Sequence, residues 1–450
     1  MDSKRSSFTG KLGFVLAAAG SAVGLGNIWR FPYLAAQYGG GIFLLVYIAL
    51  SVTFGFALMV AEIAIGRKTQ MSAIGAFKAL DKRFTFVGWM AALVPIIILP
   101  YYSVIGGWVM KYIFGFVTGD GANMADSNYF GSYISEVGEP VLWFCIFIAI
   151  TAIVVLLGVD KGVEKVSKVM MPALILLIIA IVIYTLCTVD GAWGGVLYYI
   201  TPDFSKFTPM TVVAAAGQLF YSMSLAMGIM ITFGSYTKKE MSIEKSTKQI
   251  EIFDTGVAFL AGLMIIPVVF ATDPASLTQK GPGLMFAVLP HIFDGMPGGS
   301  IIGAVFFIMV FFAALTSSIS LMETVVSIFI DKLKIGRKLA CVIVFAISIV
   351  LGLLSCLGYS AWDNVKIIGL QFLDFFDFIS NSIIMPIVAL LTSVFVGYIL
   401  KPKTIIEEVE LWGKFKMKKL FTVVIKYVAP VFLVIILITS VLDVFGIYKI

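Results

Sequence analysis

Apolar residues run along this chain in blocks of roughly 20 or more, the length an α-helix needs to cross a bilayer, with most of the charge confined to the stretches between. Eleven spans are predicted, at about 12–37, 41–66, 86–117, 141–158, 166–187, 207–236, 252–272, 298–330, 338–357, 365–399 and 421–445. An odd number puts the termini on opposite sides. Loops are short apart from 118–140, 188–206, 273–297 and 401–419, and nothing among them resembles a soluble domain. The loop 273–297 carries GLMFAVLPHIF between DP at 273 and MPGG at 296, a helical piece expected to fold back as a lid. Residues 1–450 are read as one transmembrane bundle, all-α and polytopic.

One interruption stands out in the first span: GSAVGLGN at 20–27. Gly20, Gly24 and Gly26 lower the cost of leaving the helix and so free carbonyls and amides. In hydrocarbon each freed group costs several kcal/mol unless it is satisfied, and bound cations with a charged solute can do that. The same residues also suit close helix packing, since Gly20 and Gly24 form a GxxxG. No strand precedes the glycines, so they are not a dinucleotide fingerprint. If the bundle holds two inverted halves of five spans, about 12–187 and 207–399, with 421–445 accessory, the sixth span should be broken like the first. Its small residues, QLFYSMSLAMG at 218–228, sit mid-span as that requires.

Charge fixes the orientation. With the N-terminus cytoplasmic, 25 of the 32 lysines and arginines fall on the cytoplasmic side, which the positive-inside rule favours. The net charge of +6 is then a topology signal and not a mark of a nucleic-acid partner. Residues 4–19 imitate a secretory signal, but the apolar run continues past the glycines and ten more spans follow, so the first span is expected to be retained. Cys145, Cys187, Cys341 and Cys356 lack metal-ligand spacing, and the single histidine, His291, lies in an outer loop. With no cluster of nucleophile, base or metal ligands, no enzyme is expected. A channel would need a continuous polar route, whereas the intramembrane charges here gather toward two ends of an apolar middle.

GSAVGLGNIWRFPY (20–33) resembles the signature of the neurotransmitter:sodium symporter family, and similar pieces cover nearly all of the chain: GGGIF (39–43), Glu62, PYY (100–102), GQLFYSMSLAMG (217–228), GPGLMFAVLP (281–290), FFAALTSSIS (311–320) and LDFFDF (373–378). The resemblance implies a leucine-transporter-type fold with the first and sixth helices unwound at mid-membrane. It implies two sodium ions, held by hard oxygen donors. The first site would use the Ala22 carbonyl, the Asn27 side chain, Ser222 and Asp254, completed by the substrate carboxylate. The second would use the carbonyls of Gly20, Val23 and Ala313 with the hydroxyls of Thr316 and Ser317, although such hydroxyls are often back-bonded to their own helix.

Two positions refine the expectation. Asp254 stands where chloride-dependent relatives are neutral, which implies transport without chloride; the competing reading is a helix cap near the surface. Gly24 stands where monoamine carriers place an aspartate, leaving room for a substrate carboxylate on the Leu25 and Gly26 amides and the Tyr102 hydroxyl. The implied cargo is an amino acid, bulky apolar or aromatic, with a wall of Ile98, Tyr102, Tyr221, Ser224, Met227, Ser317 and Leu321. Arg30 and Asp377 with Tyr221 would close the outer side, and Arg5 and Asp331, with Phe8 and Tyr236, the inner. Asp374 is expected in the outer vestibule, and Glu62 is expected to brace the sixth span. Gly162 and Pro172, ten apart, are expected to let the fifth span unwind, though a plain helix start with a tolerated kink fits them too. The expected location is a bacterial cytoplasmic membrane. The alternative function is a sodium-dependent amino-acid sensor without net transport.

Overall fold

The computed structural model describes residues 7–274, 276 and 281–444. Among these, nine helices are long and apolar enough to cross a membrane. They are Gly41–Thr69, Lys82–Thr118, Gly138–Leu156, Val159–Thr188, Ile243–Thr272, Gly299–Leu333, Arg337–Leu357, Phe372–Ile399 and Lys418–Leu442. A further span is the pair Lys11–Ala22 and Gly26–Gln37, bent by 56° at its break. The sixth is split into Pro209–Ser222 and Ile229–Ser235, each too short to cross alone, and completes the expected eleven.

Ends follow local chemistry. Pro209 opens the sixth span at a position where its missing N–H is not needed, and Thr208 with Thr211 forms a capping box around it. Ser242 accepts the Lys245 amide at the start of the seventh. The tenth starts at Phe372, later than the predicted 365, because residues 359–371 form turns.

Burial separates centre from rim. In the first span every residue from Gly13 to Ala22 is buried, as a helix apolar on all sides must be. The ninth buries only a stripe including Ala340, Cys341, Val344, Ser348 and Gly352, while Leu339, Val342 and Val350 are exposed, which marks it as perimeter. Glycines let the second span meet the inner half of the sixth backbone to backbone: a Cβ on Gly66 would run into the Ile231 carbonyl, and one on Gly234 into the Ile63 carbonyl. The expected outer-loop helix forms over Leu284–Asp294 and is packed down, its Phe286 carbonyl accepting the Tyr112 hydroxyl at 2.7 Å and its ring stacked on Phe130.

Candidate functional site

The first helix stops at Ala22, Val23 turns extended (φ −71°, ψ 99°), and the chain re-enters a helix through a wide π-helical turn at Gly26–Arg30. The helix breaks where the glycines were expected to allow it, and the glycines also give room to neighbouring side chains. None of Gly20, Gly24 or Gly26 has a positive φ, so they supply room and not a special conformation. A Cβ on Gly24 would sit 2.9 Å from Ser317 Oγ and 3.0 Å from the Tyr102 hydroxyl, and one on Gly26 would sit 2.5 Å from Tyr221 Cε1.

Strain lies instead in the sixth span. Ser224, Ala226 and Gly228 have φ of 52°, 62° and 70°, a left-handed stretch that sets non-glycine residues against their preference. It is held by neighbours. Glu62, buried in the second span, accepts the Ala226 amide at 2.7 Å, and the Ser224 hydroxyl donates to the Ser21 carbonyl at 2.9 Å. The two breaks therefore touch, and Glu62 stands where it was expected to brace.

Asp254 is fully buried well inside Ile243–Thr272, not at a helix start, which removes the capping reading. Its Oδ1 accepts the Ser222 hydroxyl at 2.6 Å and the Asn27 amide at 2.8 Å, and its Oδ2 accepts the Tyr47 hydroxyl at 3.2 Å. Asn27 Oδ1 meanwhile accepts the Gly24 amide at 3.1 Å. Turning the Asn27 carboxamide over would present its oxygen beside those of Ser222 and Asp254, a hard donor set suited to an alkali cation.

A second oxygen cluster faces the inner side of the first break. Ser317 Oγ lies 3.3 Å from the Gly20 carbonyl, 3.2 Å from that of Ser21 and 3.3 Å from that of Val23. One hydroxyl proton cannot serve three carbonyls, which leaves acceptor capacity in an apolar interior. Thr316 Oγ1 back-bonds to the carbonyls of Phe312 at 2.9 Å and Ala313 at 3.2 Å.

Between the two clusters lies a cavity of about 40 Å³. Its lining contains Ala22, Gly24, Leu25, Gly26, Asn27, Ile98, Tyr102, Tyr221, Ser222, Ser224, Met227, Ser317 and Leu321, so the structure brings together every residue singled out for the substrate wall. The Leu25 amide points at the Tyr102 hydroxyl at 3.3 Å. Tyr102 and Ile98 are placed by the third span, whose Pro95 and Pro100 interrupt the backbone bonding beside them.

Above this cavity a vestibule of about 360 Å³ is lined in part by Arg30, Tyr101, Asp374 and Asp377, and Tyr221 borders both spaces. The expected Arg30–Asp377 pair is not closed. The Arg30 guanidinium lies 5.3 Å over the Tyr221 ring, while Asp377 accepts from Tyr101 at 3.0 Å and Asn381 at 2.6 Å. Asn381, four residues on from Asp377, was missed; its only signal was that helical spacing.

Arg5 lies outside the described residues. Its expected partner Asp331 accepts the Ser72 amide at 2.8 Å. Phe8 packs edge-on against Phe14, Phe233 and Tyr236. Tyr236 donates to Glu323 at 2.8 Å, and Glu323 takes a two-pronged pair from Arg337 at 2.7 and 2.9 Å. Sequence reasoning passed over this buried pair, although a glutamate inside an apolar span was a readable sign of one.

At the fifth span Gly162 sits in the wide turn Val159–Glu164, where a Cβ would run into the Val154 carbonyl, and Pro172 lies within Lys165–Thr188. Glu164 joins this turn to the N-terminal segment, accepting the Thr9 amide at 2.8 Å and the Lys168 ammonium at 2.6 Å.

Two facing helix breaks that gather oxygen donors around a central cavity define the class: a membrane transporter. Residues 5–125 and 124–448 match the sodium:neurotransmitter symporter family, and the chain belongs to it. It is 37% identical over 401 residues to the sodium-dependent transporter YhdH of Bacillus subtilis (strain 168), covering 88% of each chain. It is 31% identical over 456 residues to a sodium-dependent transporter of Haemophilus influenzae, covering 97% of this chain and 98% of the relative. Among solved structures it is similar to the crystal structure of MhsT in complex with L-phenylalanine, with a TM-score of 0.87 and 37% identity over 97% of this chain and 100% of the other. The protein is thus a sodium-dependent symporter with the all-helical fold of that family.

Proposed function

We propose that this symporter imports a bulky apolar or aromatic amino acid by alternating access, with two sodium ions per substrate and no need for chloride. The observation that carries the reading is Asp254, a buried carboxylate bonded to Ser222, Asn27 and Tyr47 beside the first break. Its charge offsets a cation from within the protein, the task a bound anion would otherwise perform. The second ion fits the Ser317 cluster with Gly20 and Val23, completed by Ala313 and by Thr316 once its hydroxyl turns.

An amino acid would place its carboxylate on the Leu25 amide and the Tyr102 hydroxyl, over the first ion. Room for a side chain comes from movement of Met227, Leu321 and Tyr221, since about 40 Å³ holds only a few waters. The bound phenylalanine of the MhsT structure supports the substrate class. Opening outward would lift Tyr221 and Arg30; opening inward would loosen Phe8, Asp331 and Tyr236 and unwind the turn at Gly162. The lysine-rich face is assigned to the cytoplasm of a bacterial cell.

Each inward positive charge gains about 2.3 kcal/mol per 100 mV, and a tenfold sodium gradient adds about 1.4 kcal/mol. Two ions then support roughly a 10⁵-fold gradient of a zwitterion and one ion roughly 500-fold. The test is uptake of radiolabelled amino acids, all twenty, into proteoliposomes under an imposed sodium gradient. Accumulation of the aromatic and large aliphatic members is expected. Sodium-dependent binding with no accumulation would identify a sensor instead.

A further inference from the structure

We propose that a groove at the lysine-rich end of the bundle binds the phosphate headgroup of an anionic phospholipid from the leaflet it faces. The groove measures about 860 Å³ and runs between the start of the first span, the segment after the sixth and the loop before the eleventh. Six lysines line it, Lys11, Lys238, Lys245, Lys248, Lys414 and Lys416, against two glutamates, Glu240 and Glu244.

Lys248 and Glu244 pair with each other, which leaves five lysines against one glutamate. Glu244 is occupied within the wall, accepting the Lys248 ammonium at 2.7 Å and the Lys416 amide at 2.9 Å. Among the described residues Lys11, Lys238, Lys245, Lys414 and Lys416 make no ion pair through their side chains. Ammonium groups that line one groove attract a phosphate.

What distinguishes a lipid from a free anion is the apolar part of the same groove. Phe8 and Phe14 form a buried floor, and Leu411 and Trp412 are more than half exposed at its edge, the exposed tryptophan typical of a membrane–water interface. That edge is held in place. Helix Pro402–Glu410, which ends at Leu411, buries Ile405 and Val409 and is pinned by a buried ion pair of Glu408 with Arg67 at 2.7 Å. Arg67 also donates to the Met241 carbonyl at 2.6 Å, on the opposite wall of the groove. The groove therefore joins the loop before the eleventh span to the segment that carries Phe8 and Lys11.

The test is native mass spectrometry of the full chain titrated with phosphatidylglycerol, with phosphatidylcholine and with inorganic phosphate. Phosphatidylglycerol should bind in preference to phosphatidylcholine. Each lysine near a charged surface is worth about fivefold, so the triple variant K245Q/K414Q/K416Q should bind phosphatidylglycerol on the order of 100-fold more weakly. The same variant should keep its sodium-dependent phenylalanine binding, which shows that it is folded. The double variant K401Q/K403Q, on the same face but outside the groove, should bind the lipid like the parent. Equal phosphatidylglycerol binding by parent and triple variant overturns the proposal. Equal binding of the two lipids, or inorganic phosphate displacing the lipid at like concentration, overturns it as well.

Discussion

Replacing Gly26 by alanine should weaken substrate binding by propping open the lid over the central cavity. The new Cβ would lie 2.5 Å from Tyr221 Cε1, where an ordinary carbon contact needs about 3.5–4.0 Å, so the ring must move by about 1 Å or more. That ring borders both the cavity and the vestibule and carries the Arg30 guanidinium at 5.3 Å, so its displacement disturbs the Arg30 contact as well. Overpacking of this kind costs about 1–3 kcal/mol, which corresponds to roughly 5–150-fold in affinity. Sodium-dependent binding of L-phenylalanine to the purified protein, read by scintillation proximity, measures it. If the clash is with Tyr221, the loss must depend on that ring. Gly26→Ala added to Tyr221→Leu should then do little more harm than Tyr221→Leu alone, a non-additive cycle. Unchanged affinity for Gly26→Ala, or losses that simply add, would refute the reasoning.

Chloride replacement by gluconate should leave uptake by the parent unchanged, while Asp254→Asn, which keeps an oxygen donor and removes the charge, should transport only when chloride is present; loss of uptake by the parent in gluconate would contradict this. Ala226→Gly relieves a φ of 62° worth about 1–2 kcal/mol, partly offset by backbone entropy, and should raise the melting temperature of the solubilised protein. A lowered melting temperature would show that the Ala226 methyl matters more than the strain. Arg337→Gln leaves Glu323 buried without its partner and should destabilise by about 3–5 kcal/mol, seen as a lower thermal midpoint. Adding Glu323→Gln should recover much of that loss, and a double variant no better than the single would argue against the pairing.

Much of this was readable from the chain, for physical reasons. A bilayer forces long apolar helices, so the spans and the break at residues 20–27 announced themselves, and the residues that the resemblance singled out for the substrate wall line one cavity. What stayed hidden depends on three-dimensional neighbours. Gly26 reads as a helix breaker, yet its use is the close approach of Tyr221, which lies 195 residues away in sequence. The left-handed Ser224 and Ala226 carry no local signal, since neither residue favours that conformation; only Glu62 and Ser21, supplied by other spans, hold them there. The resemblance marked Arg30 and Asp377 as the outer pair, but Tyr101 and Asn381 are the donors that reach the carboxylate. Glu323 was visible as an isolated intramembrane charge, while its partner Arg337 passed for a surface residue at the head of the ninth span.

The central claim is that the oxygens exposed at the two helix breaks are satisfied by sodium and an amino acid together, so that each raises the other's affinity. Calorimetric titration of the purified protein with L-phenylalanine, in sodium and then in potassium at equal ionic strength, tests it most directly. Coupling of the usual size gives about 5–150-fold tighter binding in sodium, and sodium should in turn bind tighter by the same factor when phenylalanine is present. Equal Kd values in the two salts would contradict the account.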